Sequence, residues 1–294
     1  MRNNFVRAVW PLAAALLTSL AAPVSAEAEQ VQIKPSLLRL NANLELPTGK
    51  TVADGVLILV HGTLSHARQE TMAALQKNLK ERGIATLAIT LSLGVDNREG
   101  PRSCDVLHDY ALAGAQREIN LWVTWLAAHG TTRIDLLGFS LGGAQVAAMA
   151  PELIKVRRVV LMAPAFVTSV EQAASYEHAF GHPLAPELAA AKKDPLQNRT
   201  VDFMLCKQAP VLGASFLDAY TELPPKLAAR TGHPTLVVVA GNDERVPDLV
   251  KRLPSDVHPV VIAGASHFFP DLYGEEAADA IAKFLTLGGS AIQQ

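Results

Sequence analysis

The sequence predicts an α/β fold, a mostly parallel sheet flanked by helices, on three observations. From residue 56 onward, short aliphatic or β-branched runs alternate with longer amphipathic stretches, the pattern of buried strands linked by helical crossovers. One of these runs leads without a break into Gly138-Phe139-Ser140-Leu141-Gly142 and then into small residues, so a strand, a tight turn and a helix follow one another directly. A long interval after residue 163 interrupts the alternation and marks an insertion.

Residues 1–26 have a basic start at Arg2 and Arg7, an apolar stretch to Leu20, and small residues at Val24-Ser25-Ala26. That is the form of a secretory signal peptide cleaved after Ala26. The apolar run contains Pro11 and falls short of the ~20 residues that a spanning helix needs, so no stable membrane anchor is expected after cleavage. A periplasmic or secreted protein starting at Glu27 follows.

Residues 31–46 partly alternate apolar with polar side chains and are expected to form an antiparallel hairpin at the sheet edge. Residues 56–60 (VLILV), 84–89 (IATLAI), 133–139 (RIDLLGF), 158–163 (RVVLMA), 235–240 (TLVVVA) and 258–263 (HPVVIA) are short continuous apolar runs, as parallel strands covered on both faces require. Residues 68–82 and 109–129 read as amphipathic helices. About 70 residues lie between the runs ending at 163 and starting at 235, where ~10–12 would complete a crossover. Within them VTSVEQAASYEHAF, APELAAAKK and FMLCKQAPVLGASFLDAY all read as helical. Residues 166–230 are therefore expected to form a helical cap over the carboxyl edge of the sheet, inserted into one domain spanning residues 27–294.

Composition narrows the class. Without Arg2 and Arg7 the chain has 24 basic against 28 acidic side chains, a net charge of about −4, with no Lys/Arg run to serve nucleic acid. Cys104 and Cys206 are the only cysteines, and neither lies in a C-x-x-C spacing. In an oxidising compartment they either pair or remain two unrelated thiols. His66, His108, His178, His182 and His233 have no metal-ligand spacing, and no cofactor is implied.

The chemistry converges on Ser140. A serine at a strand-to-helix junction is also a favoured N-cap, but that role does not explain Gly138 and Gly142, which suit a turn too tight for flanking β-carbons. A serine hydroxyl becomes a nucleophile only when a base takes its proton, and the base needs a carboxylate to hold its tautomer. Asp243 follows the strand at 235–240 and His267 follows the strand at 258–263, so both sit past carboxyl ends of strands, on the same sheet edge as Ser140. Glu244 is adjacent to Asp243 and Asp248 is close, which leaves the acid less sharply assigned than the serine and histidine. An oxyanion hole would come from the backbone N–H of Leu141 and that of Thr63 or Leu64, with His61 ordering that loop rather than reacting.

Together the HG loop after VLILV, the GFSLGG turn, GNDERVP and GASHFF resemble the α/β-hydrolase superfamily, in its serine-triad esterase, lipase and peptidase branch. No H-G-G-G loop is present. The resemblance implies an α/β-hydrolase fold with a cap, Ser140 as nucleophile, Asp243 as acid, His267 as base, and a small-molecule ester or acyl compound as substrate. Amide or thioester cleavage by the same fold, or a binding protein that keeps the fold without turnover, are the alternatives; the oligomeric state is left open.

Overall fold

The computed structural model describes residues 28–35 and 37–287. The leader expected at residues 1–26 lies outside them. Strands β1 (Glu29–Ile33) and β2 (Leu40–Glu45) form the expected antiparallel hairpin. They are followed by β3 (Val56–Val60), helix α1 (Glu70–Glu81), β4 (Thr86–Thr90), α2 (Leu112–Ala128), β5 (Ile134–Phe139), α3 (Leu141–Met149) and β6 (Val156–Met162). An insertion comes next, and then β9 (Thr235–Ala240), the single turn α7 (Leu249–Arg252), β10 (Val260–Ile262) and α8 (Leu272–Thr286) close the domain.

The main sheet has eight strands in the order β1-β2-β4-β3-β5-β6-β9-β10. Only β1 with β2 and β2 with β4 pair antiparallel; every other pair is parallel. The fold is that of the α/β hydrolases. Why the strands read as unbroken apolar runs is visible in β3, all five of whose residues are buried. Val56, Ile58 and Val60 face a core with Ile119, Trp122 and Leu126 of α2. Leu57 and Leu59 face the opposite core with Met72, Leu75 and Leu79 of α1 and Ile281 and Phe284 of α8. A strand covered on both sides has no position at which a polar residue is cheap.

The insertion corrects one expectation. It contains α4 (Ser169–Phe180) and α5 (Leu184–Lys193) where helices were expected, but β7 (Asn198–Phe203) and β8 (Cys206–Leu212) form an antiparallel hairpin before the short α6 (Gly213–Ala219). The run FMLCKQAPVLGASFLDAY is thus helical only in its second part. Pro210 has no N–H for a helix interior, whereas in β8 its carbonyl accepts a bond from the His108 N–H at 2.8 Å. The stretch is apolar at nearly every position, so periodicity alone does not separate buried strand from buried helix. The cap is therefore a mixed α/β layer.

A second segment joins the cap. Residues 91–111, between β4 and α2, carry His108, which pairs in parallel with Val211 at the free edge of β8. Cys104 in this segment is bonded to Cys206 at the start of β8, 102 residues away in sequence. The chain-entropy argument gives a crosslink closing ~100 residues about 4–5 kcal/mol through restriction of the unfolded chain. Equilibrium unfolding in denaturant is expected to show a loss of that order for the Cys104→Ala/Cys206→Ala double variant. An unchanged midpoint would mean that the crosslink adds nothing to the packing already there.

Candidate active site

The turn between β5 and α3 places Ser140 at φ 55° and ψ −125°, a conformation costly for a residue with a side chain. Surrounding contacts hold it there. The Ser140 N–H donates to the Met162 carbonyl at 3.0 Å, and the Ser140 carbonyl accepts from the N–H groups of Gly143 and Ala165 at 2.9 Å each. Gly142 is needed because the helix start presses on the end of β3: a β-carbon there would lie 2.3 Å from the His61 carbonyl oxygen. Gly62 eases the converse approach, since an added β-carbon would sit 3.1 Å from Cβ of Ser140. The loop after β3 therefore runs directly against the serine.

His267 and Asp243 come to the same point from the ends of β10 and β9. Ser140 Oγ lies 2.9 Å from His267 Nε2, and His267 Nδ1 lies 2.9 and 3.0 Å from the two carboxylate oxygens of Asp243. With the Nδ1–H donating to Asp243, Nε2 is the nitrogen left to accept the serine proton. His267 and Asp243 are buried, and the imidazole packs against the Phe139 and Phe268 rings at 5.3 and 5.2 Å between centroids. Burial works to raise the pKa of Asp243. The hydrogen bond from His267 and those from the N–H groups of Val246 and Arg245 outweigh it and hold the carboxyl below its ordinary range.

The neighbouring carboxylates are placed differently. Glu244 accepts from the backbone N–H of His267 at 3.1 Å, not from its ring. Asp248 pairs with Lys251 at 2.6 Å on the surface. Among these three carboxylates, Asp243 alone faces the imidazole.

The loop after β3 is ordered from behind by His61, as expected, together with a buried partner that the sequence did not disclose, Arg98. His61 Nδ1 donates to the Gly62 carbonyl at 2.9 Å, while its Nε2 accepts from the Leu91 N–H at 3.2 Å and from Arg98 Nη2 at 3.1 Å. Two donors aimed at one nitrogen leave no room for a proton. Burial, followed by the Arg98 charge, pushes the His61 pKa down to about 3. Arg98 itself is buried and also donates to the carbonyls of Leu91, Ser65 and Gly100. A charge in the 91–111 segment thus fixes the loop beside Ser140. The one available signal was an arginine amid glycine and charged residues, which resembles any solvated loop.

A cavity of about 560 Å³ lies between sheet and cap, reaching the residue after Ser140. Thr63 and Leu141 both border it. Leu64 instead packs into the cap with Phe203 and Phe216, and its carbonyl accepts from the Arg102 N–H at 2.8 Å. Among the described residues, the N–H groups of Thr63, Leu64 and Leu141 alike have no protein acceptor. Of the apolar cap residues, Phe180, Met204, Leu205 and Tyr220 reach the cavity, with Phe166 and Tyr176; Phe203 and Phe216 serve the interior of the cap. Arg252 binds Glu171 at 2.8 Å and the Phe166 carbonyl, tying α4 to α7.

Comparison with known proteins agrees with this architecture. The alpha/beta hydrolase family profile matches residues 57–284. The chain belongs to that family. Among solved structures, Est1E from Butyrivibrio proteoclasticus is similar at 21% identity, with 87% of this chain and 97% of that chain covered and a TM-score of 0.63. A monoacylglycerol lipase of Paleococcus ferrophilus is similar at 22% identity, covering 84% and 98%, with a TM-score of 0.56. The esterase Pf2001 of Pyrococcus furiosus is similar at 17% identity, covering 88% and 89%, also at 0.56. No curated protein matches.

Proposed function

We propose that this chain is an exported serine hydrolase that cleaves carboxylic esters through an acyl-enzyme. The observation that carries the reading is the unbroken line from Asp243 through His267 to Ser140 Oγ, with bonds of 2.9 to 3.0 Å beside a largely apolar cavity. His267 takes the serine proton as Oγ attacks the acyl carbonyl, and Asp243 stabilises the imidazolium. The N–H groups of Leu141 and Thr63 receive the negative charge on the carbonyl oxygen. His267 then protonates the leaving alcohol, and water repeats the sequence on the acyl-serine to release the acid. The fold is shared with esterases and a monoacylglycerol lipase, and Est1E is known with ferulic acid bound; both support ester cleavage. The leader-like residues 1–26 and the Cys104–Cys206 bond support export to an oxidising compartment.

A fluorophosphonate probe should label Ser140, and a panel of p-nitrophenyl esters should be hydrolysed with kcat/KM rising from acetate to about butyrate or hexanoate and then falling, each added methylene contributing ~0.8 kcal/mol until the cavity is full. Preference for amides or thioesters over this panel would reassign the substrate class. The acid limb of the kcat/KM profile should show one protonation only. Asp243 keeps its charge to lower pH than an ordinary carboxylate and His61 stays neutral down to about pH 3, so neither adds a second proton to that limb. A limb steeper than one proton would place a second titrating group in the reaction.

A further inference from the structure

The seam between cap and sheet holds a second, much smaller cavity, about 40 Å³, on the far side of Leu141 from the main one. Leu141, Met204 and Ala219 line both. Of these three, Leu141 is fixed by the turn that carries the serine and Ala219 has no side chain beyond Cβ. Met204 is the long flexible side chain left between the two spaces. We propose that Met204 is the partition that sets the acyl-chain limit of this enzyme, and that the space behind it is an unopened extension of the acyl site suited to medium-length aliphatic chains.

Three features place Met204 across that passage. It occupies the two-residue turn between β7 and β8, with φ 55°. Its N–H donates to the Tyr220 hydroxyl at 3.1 Å, on the side of the main cavity. Its sulfur faces the hydroxyl of Tyr110 at 4.0 Å, and Tyr110 lines the small cavity. The side chain therefore spans from one cavity to the other. The turn is also anchored covalently, since Cys206, two residues on, is bonded to Cys104. Beyond the partition the walls include Leu93, Leu112, Ala115 and Leu223, which suit a hydrocarbon chain. Methionine is unbranched and deformable, so it closes a passage without sealing it against substitution.

The inference rests on the ester-hydrolase reading, and the experiment separates the two. Acyl-chain profiles are measured with p-nitrophenyl esters from acetate to dodecanoate for wild type, Met204→Ala, and Met204→Ala combined with Ala115→Phe, which refills the small cavity from its far wall. Met204→Ala should raise the decanoate-to-butyrate ratio of kcat/KM at least about tenfold, the effect of roughly two further methylenes at about fourfold each. The double variant should return the ratio toward the wild-type value. If Met204→Ala is not recovered folded, Met204→Gly opens the same passage and suits the left-handed turn. An active wild type whose ratio is unmoved by opening Met204 overturns the partition alone. A ratio that responds only to the length of the alcohol in alkyl butyrates overturns its assignment to the acyl chain. Wild-type protein inert to every ester overturns the ester reading and the partition with it.

Discussion

Ser140→Ala lowers ester turnover by about four orders of magnitude or more and abolishes fluorophosphonate labelling, while stability shifts by less than about 1 kcal/mol. This expected result separates a nucleophile from an N-cap. Ser140 makes no side-chain cap bond to α3; its hydroxyl contacts His267 instead. The fold at this point is maintained by the backbone bonds of Ser140, which alanine keeps, and by the packing of Gly142 and Gly143 against β3 and Pro164. Removing Oγ thus deletes the proposed nucleophile and little else. Turnover within tenfold of wild type would refute the role of the serine, and unfolding on substitution would show that the hydroxyl is structural.

Gly142→Ala is expected to act in the opposite way, through the fold. A β-carbon at 142 would lie 2.3 Å from the His61 carbonyl oxygen and 2.8 Å from that of Val60, both backbone atoms at the end of a strand buried on both faces. Neither can yield without moving β3 or the loop that borders Ser140. The substitution should destabilise by about 3 kcal/mol or more in equilibrium unfolding, or leave the chain insoluble. Gly114→Ala, in α2, supplies the contrast. Its β-carbon would meet only the tip of Arg117, at 3.8 Å, so gain in helix propensity should leave stability equal or raised by up to ~1 kcal/mol. Equal behaviour of the two variants would refute the close packing of turn on strand.

What was legible in the sequence follows from where side-chain chemistry is forced. Residues 56–60 and 235–240 are strands with the expected bounds, because both faces of each are covered and every position but the partly buried Thr235 at the start of β9 is apolar. Ser140, Asp243 and His267 could be placed together before any coordinates, because each follows a strand of one sheet and the ends of parallel strands share an edge. The hairpin of β7 and β8 was not legible: between Val201 and Leu212 apolar residues crowd both periodicities, and what decides for strand is the pairing of β7 with β8 across Met204-Leu205, to which His108 adds one bridge. Thr63 and Leu64 remain alternatives as oxyanion donors: neither N–H has a protein acceptor among the described residues, and of the two only Thr63 borders the cavity. Arg98 was invisible for a similar reason, since its partners are backbone carbonyls, and carbonyls leave no trace in a sequence.

The strand that ends in the histidine loop is three residues long and lies at the margin of the sheet. A sheet margin presents unpaired N–H and C=O groups to which another chain can add itself as a strand. Three residues supply too few such groups to template an intruder, and Pro259, just before β10, removes one more donor. The opposite margin, β1, is longer but exposes Glu29, Gln30 and Gln32, polar side chains that keep it soluble. The brevity of β10 therefore protects His267 from a hazard unrelated to chemistry: strand-to-strand association would have little to grip at the edge that carries the imidazole.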